Sequence, residues 1–376
     1  MKAQRYALRK NNKEEDKMSR FFSEKYKALA PYVPGEQPKD MKYIKLNTNE
    51  SPFAPPKSVV KAVKGQAGLC HLYSDPTCSA LVEKAAEVFG VRKSQILPTN
   101  GSDEILNFAF MAFCDKNTPA VFADITYGFY SVFADLHGVP YKTIPLKEDF
   151  TIDYRDYCGV NATVFIANPN APTGLPLSKA EIEEILRTNP NNVVVIDEAY
   201  VDFGGDSCVD LIDKYDNLLV TQTFSKSRSL AGARLGFGFA NENLLADLNA
   251  IKYSTNPYNV NRMTMEAGRV ALCEQAYFDK KCNEICQTRA YTIDRLRRLG
   301  FTVLESKTNF VFIKSVKIGG AELYEKLKAR GVLVRHFNGE RIKEFNRVTI
   351  GTKKQMDVFL SCVEAIVKGR NDEKSE

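Results

Sequence analysis

Three short stretches bring together residue types that can do chemistry. Asp197-Glu198-Ala199-Tyr200 offers an acid and a phenol three positions apart, and Thr223-Phe224-Ser225-Lys226-Ser227 sets an amine among hydroxyls. Asn168-Pro169-Asn170-Ala171-Pro172-Thr173-Gly174 is a Pro-rich turn carrying two amides. A fourth stretch, Asn100-Gly101-Ser102-Asp103-Glu104, opens a helix over Ile105–Phe113, so its backbone N–H groups and dipole form a natural phosphate site. An amine can serve as nucleophile or proton carrier, and an acid can pair with a protonated nitrogen. Singly, each has a plainer reading: an Asp after a strand is more often a helix cap, and a lone Lys is usually a solvated surface group.

The elements around these stretches place them together. Ala120–Ala123, Val164–Ala167, Val193–Ile196, Leu218–Thr221 and Leu235–Ala240 are short and nearly continuous in apolar character. Strands read this way when helices cover both faces of their sheet. In an open α/β sheet, ligands bind beyond the carboxyl ends of the strands; the acid, the phenol, the lysine and the turn all follow strands. Cys78–Phe89 has helical spacing and stops at Gly90, and Ser178 with Glu181 is a capping box opening a helix to Arg187. Residues 31–56, rich in Pro and Asn, predict an extended connector.

After about residue 275 the texture changes. The pattern predicts a helix over Ala276–Leu299, strands at Thr302–Leu304 and Asn309–Ile313, and a helix at Ala321–Arg330. Strands at Val332–Arg335 and Val348–Ile350 and a helix to Val367 complete it. The expected fold is α/β: a large domain with a mainly parallel sheet flanked by helices, plus a smaller α+β domain. The expected division is a tail over 1–20, an arm over 21–55 belonging in part to the small domain, a large domain over 56–275 and a small domain over 276–376.

Composition bounds the function. Across 376 residues, 44% are hydrophobic and 26% charged, which excludes wholesale disorder. No apolar run reaches bilayer length, so no membrane span is expected. A net charge of +6 over this length suits an enzyme of anionic small molecules better than a nucleic-acid binder. Met1–Lys17 is basic but has no apolar stretch of a secretory signal, and Met18 offers an alternative start. The nine cysteines are scattered, with no CxxC; Cys114, Cys158, Cys273 and Cys362 sit in apolar segments, and Cys282 and Cys286 are too few for zinc. They read as buried free thiols in a reducing cytoplasm. His71, His137 and His336 form no HxH or HxxxH pair, so no metal is expected. Gly236-Phe237-Gly238 lacks the third glycine and helix of a dinucleotide loop.

In their order, these motifs resemble the fold type I aminotransferases that use pyridoxal 5'-phosphate (PLP), and within them the histidinol-phosphate aminotransferase subfamily. The likeness spans roughly residues 20–370 and is carried by PYVPG (31–35), KLNTNESPFAPP (45–56), YSDP (73–76), NPNAPTG (168–174), IDEAYVDF (196–203) and TFSKSRSLAGARLGF (223–237). It implies a seven-stranded large-domain sheet and an active homodimer. It implies that Lys226 holds PLP and carries protons, that Asp197 pairs with the pyridine nitrogen, and that Tyr200 bonds the ring oxygen. Gly101, Ser102, Asp103, Thr223, Ser225 and Arg234 would bind the phosphate, with Tyr73 reaching it across a dimer interface; Tyr127 would stack on the ring. Asn168 and Asn170 are expected at the cofactor or as turn residues, because Ala171 stands where many relatives have Asn.

The resemblance also implies that Arg347 clamps the substrate's carboxylate or phosphate, with Arg335 a second anion ligand or a surface ion pair. Tyr32, Asn49 and Tyr258 would line the substrate pocket. The implied reaction exchanges an amino group between L-glutamate and imidazole-acetol phosphate, giving 2-oxoglutarate and L-histidinol phosphate, as a step of histidine biosynthesis. A threonine-phosphate decarboxylase or an aromatic-amino-acid aminotransferase shares Asp197, Tyr200, Lys226 and Arg234. A non-catalytic regulator would be expected to carry a DNA-binding module or to lack the lysine.

Overall fold

The computed structural model describes residues 19–27 and 29–369. Its strands are β1 (Ile44–Lys45), β2 (Ile96–Thr99), β3 (Ala120–Ala123), β4 (Tyr141–Ile144), β5 (Thr163–Ala167), β6 (Val194–Asp197), β7 (Leu218–Thr223), β8 (Gly236–Ala240), β9 (Phe301–Val303), β10 (Phe310–Ser315), β11 (Val332–Leu333), β12 (Arg335–His336) and β13 (Asn346–Thr349).

Seven of them form one sheet in the order β2-β8-β7-β6-β5-β3-β4. β8 runs antiparallel to β7 and β2, and every other pair is parallel. The apolar runs explain this: β3, β5 and β6 are buried along their whole length, because helices cover both faces. One face packs Ile105, Ala109 and Phe110 of the helix Ser102–Phe113 against Phe165 and Leu219. The other packs Leu81 and Ala85 of Ser79–Phe89, and Ile182 and Ile185 of Lys179–Thr188, against Val164, Ile196 and Val220. The Ser178–Glu181 capping box is formed, and Gly90 ends its helix in the left-handed region. From β3 the chain passes to β4 on one side, and β5 lies on the other, so a crevice opens at the carboxyl ends of β3 and β5.

The antiparallel sheet β12-β13-β10-β9 packs against Gln275–Arg298, Gly320–Ala329 and Lys353–Val367 around Ile313, Leu327, Val348 and Phe359. Two expectations need correction. The connector over 31–56 contains β1, which pairs in parallel with β11, and Leu46 is buried in the smaller core. The segment Val332–Arg335 is not one strand. β11 pairs with β1, β12 pairs with β13, and buried Val334 lies at the change of partner. The helices Lys57–Ala67, Glu242–Thr255 and Arg262–Leu272 and the strands β2 and β4 were not anticipated. Cys78, Cys114, Cys208 and Cys282 are buried, whereas Cys70 and Cys273 are exposed. Among the described residues no helix is long and apolar enough to cross a membrane, and no cluster of metal-ligating side chains occurs. The expected N-terminal tail falls mostly outside the described residues.

Candidate active site

The ends of β5, β6 and β7 and the start of the helix Ser102–Phe113 open into one cavity. It is lined by Ser102, Asp103, Tyr127, Ala167, Ala171, Asp197, Ala199, Tyr200, Thr223, Ser225, Lys226 and Arg234.

One end is an anion cradle. The first helical turn supplies Ser102 and Asp103, and a helix start favours negative charge. Arg234 Nη2 lies 3.0 Å from Asp103 Oδ2, Nη1 donates to Ser225 Oγ at 3.4 Å, and Thr223 Oγ1 lies 3.0 Å from Ser225 Oγ. Gly101 makes this closeness possible. Its φ is +78°, and a Cβ there would sit 2.6 Å from Arg234 Nη2. Gly236 does the same for β8, where a Cβ would lie 2.5 Å from Ser102 N. The guanidinium, two hydroxyls and helix start form a donor set that fits a phosphate.

Two tyrosines tie two carboxylates together above this cradle. Tyr127 donates to Asp103 Oδ1 at 2.6 Å, and fully buried Tyr130 donates to Asp197 Oδ2 at 3.0 Å. Their rings meet edge to face at 5.7 Å. Burial pushes the Asp197 carboxyl up to about 7, and nearby Asp103 adds to this; the Tyr130 hydroxyl and the Lys226 charge oppose it. Glu198 is also pushed up to about 7 by burial. Its side chain serves another part of the sheet, accepting from Cys208 N, Ser207 Oγ and Gln222 Nε2 at 2.6, 2.7 and 2.8 Å.

Lys226 stands on a loop pinned just beyond it: Ser227 Oγ donates to Asp202, and Ser229 Oγ meets Ser51 Oγ at 2.9 Å. Its Nζ lies 5.9 Å from the centre of the Tyr200 ring and makes no hydrogen bond or ion pair among the described residues. The Tyr200 hydroxyl accepts from Asn49 Nδ2 at 2.8 Å. Asn49 is buried, and its Oδ1 accepts from Thr349 Oγ1 at 3.0 Å, so it links the cavity to β13.

Asn168 and Asn170 do not reach the cavity. Asn168 exchanges hydrogen bonds with the backbone of Leu177, and Asn170 is held by Thr126, Ile125 O and Thr173. Both amides are turn-forming groups, and Ala171 is the turn residue that lines the cavity.

The smaller sheet contributes two cations. Arg335 and Arg347 are register partners on β12 and β13, so two guanidinium side chains start from adjacent positions. Like charges in that arrangement repel unless an anion joins them. Arg347 Nη2 donates to Asn47 O at 3.1 Å, while its Nε is buried without a partner. Burial and the neighbouring Arg335 both push the Arg347 guanidinium down, and the Tyr200 and Tyr32 phenols oppose this. Arg335 makes only long contacts, 3.4 Å each, to Val33 O and Pro34 O. No carboxylate among the described residues pairs with either arginine. Phe337 lies 5.8 Å from one guanidinium and 5.7 Å from the other.

Tyr32 stacks on Phe129 at 4.3 Å and is 39% exposed. Tyr73 and Tyr258 do not line the cavity of this chain. They stack on each other at 4.7 Å, with Tyr73 79% exposed. Sequence reasoning missed Tyr130 and Phe337. Tyr130 lies in the mostly apolar stretch Phe129–Phe133 and reads as core; Tyr127 stands just before the helix Phe129–His137, so no helical spacing marks the two as partners. Chemically, the cavity offers an unpaired amine, an acid poised near neutrality, a phenol and an anion cradle, with an arginine pair on the adjoining sheet.

The family model for aminotransferase class I and II matches residues 41–363. The histidinol-phosphate aminotransferase of Brachyspira hyodysenteriae is 49% identical over 353 residues, covering 93% of this chain and 100% of that protein. The histidinol-phosphate aminotransferase of Clostridium acetobutylicum is 45% identical over 351 residues, again covering 93% and 100%. Among solved structures, the histidinol-phosphate aminotransferase of Sinorhizobium meliloti in complex with pyridoxal-5'-phosphate has the same fold, with a TM-score of 0.81 at 23% identity, covering 88% of this chain and 92% of that one.

Proposed function

The chain belongs to the class I and II aminotransferases, within their histidinol-phosphate aminotransferase subfamily and with its PLP fold type I architecture, and from that premise we propose that it exchanges an amino group between L-glutamate and imidazole-acetol phosphate. The products are 2-oxoglutarate and L-histidinol phosphate. The observation that carries this reading is the register pair Arg335–Arg347, which lacks a carboxylate partner among the described residues. A planar guanidinium can fork to a carboxylate or to a phosphate. The two substrates differ in this way: glutamate presents an α-carboxylate, and histidinol phosphate presents a phosphate instead.

The residues present fit PLP. Gly101, Ser102, Asp103, Thr223, Ser225 and Arg234 would hold its phosphate, and the missing Cβ at Gly101 keeps Arg234 against that cradle. Tyr127 would cover the ring, Asp197 would pair with the ring nitrogen, Tyr200 with the ring oxygen, and Lys226 would carry the covalent attachment. When bound, the cofactor supplies an electron sink for a carbanion on the substrate. Asp197, a near-neutral acid by itself, would be a carboxylate beside the cofactor's ring nitrogen and would keep that nitrogen protonated. Tyr130 keeps that carboxylate oriented. Once the substrate's amine has displaced it from the cofactor, Lys226 Nζ, near Tyr200, would take up and return the proton on the amine-bearing carbon. We further infer a homodimer in which exposed Tyr73 serves the neighbouring copy's cradle.

Two half-reactions on the PLP-loaded protein test the reading. L-Glutamate and L-histidinol phosphate should each change the visible absorption of the bound cofactor. Turnover of phenylalanine far above histidinol phosphate would favour an aromatic aminotransferase instead, and release of carbon dioxide from threonine phosphate a decarboxylase.

A further inference from the structure

The loop 337–345 joins the strands that carry Arg335 and Arg347, and its tip is fastened to the other sheet. Arg341 Nη1 lies 2.8 Å from Asp124 Oδ2, and Nη2 donates to Leu146 O at 2.8 Å and Lys147 O at 2.9 Å. Asp124 directly follows β3, three residues before Tyr127, and its other oxygen accepts from Leu146 N at 2.9 Å. One guanidinium thus bridges the segments that leave β3 and β4. At the base of the loop, His336 Nε2 meets Lys343 O at 2.7 Å, and Phe345 stacks on Phe312 at 4.5 Å. Phe337 packs on Phe312 at 5.9 Å and stands beside both Arg335 and Arg347.

We propose that Arg341 is a positioning residue for the arginine pair: its clasp on Asp124 fixes the loop and, through Phe337, holds both guanidiniums in place relative to the cavity. The proposal rests on the reading of Arg335 and Arg347 as the substrate's anion ligands. The Arg341 side chain is 38% exposed, and an ion pair of that kind adds little to global stability. Its three directional bonds act on geometry instead. A displaced anion ligand weakens its fork to the bound substrate in ground and transition state alike, so the loss falls on KM. The anion cradle and Lys226 lie on other elements, so the clasp does not hold them directly.

The test compares Arg341→Ala and Arg341→Lys with the wild-type PLP-loaded enzyme. Arg341→Ala should raise KM for L-glutamate and for L-histidinol phosphate about tenfold, with kcat within about twofold. Arg341→Lys keeps the charge but cannot serve three acceptors in one plane, and should raise KM about threefold. PLP affinity and melting temperature should stay at wild-type values in both. Unchanged KM in Arg341→Ala would overturn the proposal, as would a fall in kcat that tracks loss of PLP or of thermal stability. Calorimetric binding of glutarate, a plain dicarboxylate, separates this inference from the functional reading. Should the wild type turn over neither substrate, the functional reading fails first. Glutarate binding weakened in Arg341→Ala would still uphold the clasp, and equal binding would refute it.

Discussion

The two ends of the site differ in how completely their polar groups are partnered. Around Asp103 and Asp197, every carboxylate oxygen has a donor: Tyr127, Arg234, Tyr130 and the Ala199 N–H. Arg335 makes only long contacts, and Arg347 has one bond, to Asn47 O at 3.1 Å, while its buried Nε–H has no partner. A saturated network holds its geometry before a ligand arrives. An under-partnered pair of cations keeps its strongest interactions for an anion that comes and goes. On the proposed reading, the cofactor end suits permanent occupancy and the arginine end suits exchange.

Breaking the cofactor end should do the most damage. Lys226→Ala should lower the transamination rate on the order of 10⁴-fold or more, because no other amine lines the cavity to carry the proton. Stopped-flow spectra with L-glutamate would show this, and PLP should still bind through the cradle. At the arginine end, Arg347→Lys should lower kcat/KM for both anionic substrates about 100-fold while leaving PLP affinity unchanged. Glutamate turnover at the wild-type level would remove Arg347 from the clamp.

Tyr130→Phe probes the link between the two carboxylates. It removes one hydrogen bond to a buried carboxylate, on the order of 1.5–3 kcal/mol, so the half-reaction with glutamate should slow about tenfold or more. A wild-type rate would reduce Tyr130 to a core residue.

The smallest effect is on stability, and it depends on pH. In the cofactor-free protein the Asp197 carboxyl is raised from 3.8 to about 7. Between those values the folded state keeps a proton that the unfolded state has released. The contribution of this group to stability is full below the lower value and is lost as pH rises through the higher one. Asp197→Asn cannot titrate, so its melting temperature relative to wild type should climb from about pH 5 to about pH 8. A pH-independent difference would mean that Asp197 is not held near neutrality.

The parallel core was legible because its strands are continuous apolar runs set by burial on both faces: β3 matches its predicted bounds, and β5, β6 and β7 differ by a residue or two at their ends. What escaped depends on distant partners. β1 is two residues long and is a strand only because Ile44 meets Val332 across the fold. The same pairing splits the run Val332–Arg335, which nothing local to it announces. Within the site, the places of Asp197 at the end of β6 and Lys226 just after β7 could be read from the sequence, whereas their expected roles came from the family resemblance. Asn168 and Asn170 stayed open in the sequence because amides suit both a ligand and a turn, and local bonds to Leu177 and Thr173 favour the turn. Tyr130 was hidden because a buried aromatic looks like packing until the carboxylate beside it is seen.

The most direct test of a permanently occupied cofactor end beside an exchanging arginine end is a reduction experiment. The PLP-loaded protein is treated with borohydride, digested and mapped by mass spectrometry, with and without prior exposure to L-glutamate. The label should appear on Lys226 alone, and glutamate should largely prevent it by freeing the amine. A label on another lysine, or labelling that glutamate leaves unchanged, would contradict the account.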